Sequence, residues 1–264
     1  MIRTSRLATS LMATALLAFV AFGHAVAAEL SLEQVKAMLK LASPATPVDF
    51  AGKDLSDLDL SQLDFRNANL RGTSFFASKL VLADFRGATL EGANLNGAWL
   101  MGTDFTGANL TRASLLSVVV LGGEVKKMPV FKGANLTGVK MIADLPGADL
   151  SGANFSNAMA GVNIKNQGMG QMRTDLASAN LAGAILAGAD FNRSLMAFSN
   201  LRGSDLRGTN FFNVKLAGAD LTGANVAGAD FTEADLDGTI FRDVKGMNEA
   251  KGFDRAANFS KIVR

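Results

Sequence analysis

The chain has 264 residues, a length that suits one large domain or an array of small repeated units. It holds no cysteine and one histidine, His24, which excludes disulfides, thiolate chemistry and a cysteine-linked lipid anchor. Its 26 basic and 24 acidic residues leave a charge of +2, too small to draw strongly on nucleic acid or anionic lipid.

Residues 1–28 read as a secretory signal peptide. Arg3 and Arg6 form a basic start, Leu11 to Phe22 an apolar run, and Ala25-Val26-Ala27 or Val26-Ala27-Ala28 a small-residue cleavage site. The run is short for a span and no basic stop-transfer cluster follows, so no stable membrane insertion is expected after cleavage. The segment carries two arginines and no acid, so the mature chain would hold 24 residues of each sign. A neutral periplasmic or secreted protein is the expectation.

Residues 29–47 come next as a capping helix and linker. Ser31 with Gln34 makes a capping box, and Leu32, Val35, Met38 and Leu39 share one helical face. Pro44 and Pro47 end the helix.

From Phe50 the apolar residues recur every five positions, matching neither a helix nor an ordinary strand. One array of fifteen centres runs from Phe50 to Val120, and a second of fourteen from Leu176 to Phe241. A small residue stands two positions before the centre in 26 of the 29 units, and glycine two positions after it in 16. Small-in, polar-out, large-in describes a very short extended segment, and the remaining two residues must turn the chain. Phe65, Phe85 and Phe105 are 20 apart, as are Phe191, Phe211 and Phe231. Four such segments per coil would stack each trio as a ladder on one wall, giving an all-β, four-sided parallel β-helix.

The stretches "ANLNGAWLMGTDFTGANL" and "ADLTGANVAGADFTEADL" resemble the pentapeptide repeat family, whose motif is A(D/N)LxX. The resemblance covers about residues 48–243 and implies a right-handed quadrilateral β-helix. It implies little about activity, because the family is functionally diverse.

Two stretches break the pattern and are expected to be loops, 121–133 and 156–174. Between them Phe131, Leu136 and Met141 run one residue out of phase before Leu145, Leu150 and Phe155 restore it. One continuous solenoid is expected, because the short middle block could hardly bury a core alone. "LRGTSFFASKL" at 70–80 parallels "LRGTNFFNVKL" at 206–216, an internal duplication. Residues 244–264 are expected to cap the far end, with Met247, Phe253, Phe259 and Ile262 covering the last coil.

Little in this sequence supports catalysis. Without Cys or His in the mature chain there is no nucleophilic triad and no ordinary zinc site, and no cofactor is expected. Asp64, Asp84 and Asp104 would stack beside Arg66 and Arg86, either as an acid-base or cation site or, as favoured here, as side chains bonding nearby backbone. Met159, Met169 and Met172 could offer thioethers to Cu(I), or fill an irregular part of the core.

One wall stands out as a candidate protein-interaction surface. Val81, Leu82, Trp99, Met101, Val119 and Leu121 point outward on it, with Phe76 and Leu116 on the adjoining wall. The competing reading is that the 121–133 loop folds back over it. The expected function is a non-enzymatic exported scaffold that binds a protein partner or itself, with no nucleic acid. Two alternatives stand: from the family, a DNA mimic that occupies DNA gyrase, and a polysaccharide-active β-helix enzyme. The mimic needs a strongly acidic surface in the cytoplasm, whereas this chain carries outward Arg66, Arg71, Arg86, Arg202 and Arg207.

Overall fold

The computed structural model describes residues 29–43, 45–120, 125–162 and 173–264. Residues 1–28, expected above to be a signal peptide, lie outside them.

The five-residue unit forms a coil with four positions of backbone pairing. Asp49 bridges Asn69 in parallel, Asn69 bridges Thr89, and the series continues through Asn109, Asn135, Asn154, Ile185, Asp205 and Asn225 to Lys245. We call this ladder face I. Face II runs from Asp54 to Lys251, face III from Asp59 to Ala257 and face IV from Asp64 to Val263, so ten coils stack along one axis. Each rung is held by backbone bonds in both directions: Phe50 N–H donates to Asn69 O at 2.8 Å, and Asn69 N–H to Val48 O at 2.9 Å. The corner closes when Lys53 N–H donates to Phe50 O at 3.0 Å, which puts Gly52 at φ +68°, a value glycine accepts without steric cost.

The centres fill the interior. Phe65 and Phe85 stack at 4.8 Å, Phe85 and Phe105 at 5.1 Å, and Phe105 and Phe131 at 5.0 Å along face IV. Phe191, Phe211 and Phe231 form the second ladder, along face II. Buried hydroxyls at the small positions bond the preceding coil, Thr73 Oγ1 to Phe50 O at 2.8 Å and Ser78 Oγ to Leu55 O at 2.8 Å, so no polar cost is left there.

The irregular stretches are narrower than their sequence suggests. The out-of-phase block belongs to the same stack, since Asp104 bridges Val130 and Asp149 bridges Asn180. Within 156–174, Met159 bridges both Lys140 and Asp190, and Ala160 is buried at the inward position. Met159 points outward at 49 % exposure instead of plugging the core. Met169 and Met172 lie outside the described residues. Where the chain steps from Lys140 to Asp144 in four residues, two short parallel strands pair, β1 (Ser114–Leu116) with β2 (Lys140–Ile142).

The two ends close differently. At the start, helix α1 (Leu32–Leu41) is held by the Ser31–Gln34 capping box and buries Val35 against the first coil. At the far end, residues 244–264 are themselves the tenth coil, built on a period of six. Lys245, Lys251, Ala257 and Val263 are its bridge positions, and Phe253 stacks on Phe231 at 5.0 Å.

Candidate functional site

Three of the four faces share one surface chemistry. The outward bridge residue is commonly Asp or Asn, and its side chain accepts from the amide two residues on, as from Ala51 to Asp49 and from Ser56 to Asp54, both at 2.9 Å. Asp64, Asp84 and Asp104 do stack, but arginines lie between them. Arg66 Nη2 sits 2.6 Å from Asp64 and its Nε 3.7 Å from Asp84, and Arg86 repeats the pattern at 2.6 Å from Asp84 and 3.8 Å from Asp104. The Arg66 hydrogen bond holds Asp64 below the usual carboxylate range. For Asp84 burial pushes upward, and the Arg86 bonds outweigh it. These carboxylates are engaged and charge-compensated, which leaves neither a poised acid-base pair nor a cation site.

Face III keeps this turn at Asp59, Asp175 and Asp235 and departs from it elsewhere. Its bridge positions include Lys79, Trp99, Val119, Leu195 and Lys215, none of which can make the carboxylate or amide turn of the other faces. Trp99 is 37 % exposed, with the Lys79 ammonium 6.0 Å from its ring. Leu82, at the corner between faces III and IV, is 39 % exposed, and Phe76, at the corner between II and III, is 50 % exposed. Val81, Leu116 and Val119 are half-buried. Met101 does not fit the outward expectation. It is buried, because the chain returns beside it: Gly102 N–H donates to Lys127 O at 2.8 Å, and Val125 packs next to the same glycine. Loop cover is thus real at Met101 but leaves Leu82 and Trp99 open. Leu121 lies outside the described residues.

One residue of this surface escapes a reading by inward pattern alone. Phe198 lies on the same III/IV corner as Leu82 and is 70 % exposed. Both residues adopt the left-handed conformation, φ +58° each, at the turn position where glycine is commonest. A bulky side chain there is an outlier costing about 1–2 kcal/mol. Phe198 recovers little of that cost by burial, whereas Leu82 is more than half buried. A phenylalanine in the glycine slot was the available signal.

Face III also has a break. No bridge joins Val119 to Asp144 among the described residues, although Asp144 pairs onward with Asp175. A cleft of about 400 Å³ opens there, lined by Val118, Ile142, Asp144, Arg173, Asp175 and Leu195 among others. Burial, and then the neighbouring Asp175, push the Asp144 carboxyl above its ordinary range. Among the described residues no group of three or more His, Asp or Glu side chains is placed to hold a metal ion.

The architecture defines a class, repeat proteins that present flat walls. The chain belongs to the pentapeptide repeat family: pentapeptide repeats match in eight copies over residues 48–75, 78–115, 143–160, 174–212 and 209–245. Its structural neighbours are proteins of that family. HetL, involved in heterocyst differentiation regulation in the cyanobacterium Nostoc sp. strain PCC 7120, is 25 % identical over 89 % of this chain and 93 % of its own, with a TM-score of 0.38. A pentapeptide repeat protein of the Arabidopsis thaliana thylakoid lumen is 32 % identical over 45 % of this chain and 76 % of its own, with a TM-score of 0.26. QnrB1, a plasmid-mediated fluoroquinolone resistance protein, is 17 % identical over 80 % of this chain and 92 % of its own, with a TM-score of 0.21. The chain has no significant match among the curated proteins.

Proposed function

We propose that this chain is an exported, non-enzymatic scaffold, a right-handed quadrilateral β-helix that holds a protein partner on face III. The observation that carries the reading is the exposed apolar chemistry of Leu82, Trp99 and Phe198 on face III and its corner with face IV. Conformational cost with little burial, at Phe198, is what a surface selected for contact accepts. Trp is also a favoured binding anchor. Export rests on the three-part pattern of residues 1–28. The charge compensation along face IV weighs against a DNA mimic, which needs an uncompensated acidic wall.

The test has two arms. Full-length protein is expressed in a Gram-negative host, the periplasm separated and the intact product weighed; a periplasmic chain starting near Ala28 or Glu29 is expected, and an uncleaved cytoplasmic chain would overturn export. The Leu82→Ser and Trp99→Ala double variant is then compared with the wild type for self-association by sedimentation and for partner retention. Loss of association at unchanged melting temperature is expected, and full retention of every association would overturn the assignment of face III.

A further inference from the structure

We propose that the joint between the fourth coil, which carries Val119, and the fifth, which carries Asp144, is a hinge pivoting on face I and opening on face III, set by a missing turn residue. Each joint between neighbouring coils offers two backbone bonds per face, one in each direction. Eight of the nine joints make all eight of them; on face III between coils eight and nine, Leu216 N–H donates to Asp235 O and Asp235 N–H to Val214 O, both at 2.9 Å. The joint between coils four and five falls short. Face I keeps its pair, Leu110 N–H to Asn135 O at 2.7 Å and Asn135 N–H to Ala108 O at 2.9 Å, and β1 and β2 hold face II. Face IV keeps Phe131 N–H to Asp149 O at 2.8 Å but lacks the return bond from Asp149 N–H to Pro129 O. Neither bond forms on face III, where Val120 N–H, Asp144 N–H and Val118 O have no backbone partner among the described residues. Val118 and Val120 are buried residues, where a backbone group without a partner is rare.

The missing residue is visible in the chain. A regular corner turns on two residues, as Asn96 and Gly97 do between Leu95 and Ala98, with Gly97 at φ +69°. After Met141 only Ile142 stands in the turn before Ala143 and Asp144, so the fifth coil is short on the corner that leads to face III. The core changes at the same level. Aromatic stacking runs from Phe65 through Phe85 and Phe105 to Phe131 in coils one to four, and contact resumes between Phe155 and Phe191 in coils six and seven. Coil five is centred on Leu136, Met141, Leu145 and Leu150 instead. In a one-dimensional stack each coil is held by its neighbours alone, so the interior joint with the fewest bonds opens first. Leu82 and Trp99 lie on one side of the hinge and Leu195 and Phe198 on the other, so opening changes their separation. That consequence for a partner rests on the reading of face III as the partner-binding face; the hinge does not.

Amide hydrogen exchange of the purified protein, followed residue by residue by NMR, tests the hinge. In a uniform stack, protection rises from both ends to the middle. Expected here is a dip: Phe131 and Lys140, whose amides cross the joint, exchange about tenfold or more faster than Phe105 and Ser114 one joint earlier and Leu150 and Met159 one joint later. Leu110 and Asn135, on the face I pivot, stay protected. One glycine inserted between Ile142 and Ala143 restores the two-residue turn and should abolish the dip. Protection that rises smoothly to the middle overturns the hinge. Equal exchange at Leu110 and Phe131 overturns the pivot, because whole coils would then be separating. A dip that persists in the folded insertion variant overturns the missing turn residue as its origin; if that variant does not fold, the wild-type profile decides the hinge by itself. Unchanged association in the Leu82 and Trp99 variant would remove the partner reading of face III and leave the exchange profile as it stands.

Discussion

Phe198 reaches Gly218 of the next coil so closely that a Cβ added to Gly218 would stand 2.5 Å from ring atoms Cδ1 and Cε1. Leu82 covers Gly102 in the same way, at 2.7 Å. Each bulky residue sits in a turn slot that glycine would fill more easily, and the glycine one coil later gives it a shelf. Phe198→Gly should therefore stabilise the fold by about 1 kcal/mol, by relieving the left-handed strain at little cost in buried area. Thermal unfolding checks this, and the same variant should weaken partner association.

Glycines in this protein are not equivalent. Gly223 and Gly252 both have positive φ, but nothing lies within 4 Å of a Cβ on Gly223, whereas one on Gly252 would stand 2.3 Å from Thr232 N. Gly223→Ala should cost about 1–2 kcal/mol from conformation alone. Gly252→Ala adds a backbone collision and should cost about 3 kcal/mol or more, loosening the tenth coil first. Denaturant midpoints of the two variants give the comparison directly.

The aromatic ladder should dominate core stability. Phe85 is fully buried between Phe65 and Phe105, so Phe85→Ala should cost about 3–5 kcal/mol in chemical denaturation.

Acid should act on the two carboxylate settings in opposite senses. Asp64 and Asp84 are held below their ordinary range, so their stabilising contribution is present above the unfolded carboxylate pKa and is lost as pH falls through the folded values. Asp144 is raised, so its ionisation opposes folding once pH exceeds the unfolded value, and the opposition vanishes on acidification. Asp84→Asn should thus lower the melting temperature at pH 7 and change little at pH 2. Asp144→Asn should leave it unchanged or slightly higher at pH 7. Melting curves of both variants across that range measure the difference.

Much of the fold was legible because one period repeats for most of the chain: Phe65, Phe85 and Phe105 announced both the five-residue unit and the four-sided coil. The tenth coil was less so. Its signal, Met247, Phe253 and Phe259 spaced by six, is present, but a period that changes once near the end reads more readily as an irregular cap. The burial of Met101 depends on where Val125 and Lys127 return, which no periodicity encodes. The cleft lies where face III loses its rung between Val119 and Asp144, beside a one-residue deletion whose presence the sequence shows but whose consequence on the neighbouring coil it does not. Trp99 and Leu82 were readable as outward residues, since a large apolar side chain at a polar position contradicts the repeat.

The most direct test of the central claim places a photo-crosslinking amino acid at position 99 on face III and, separately, at position 225 on face I, in the full-length protein in its own cells. The account predicts a discrete adduct from position 99, diminished by Leu82→Ser, and none from position 225. Equal adducts from both faces, or an adduct from face I alone, would contradict it.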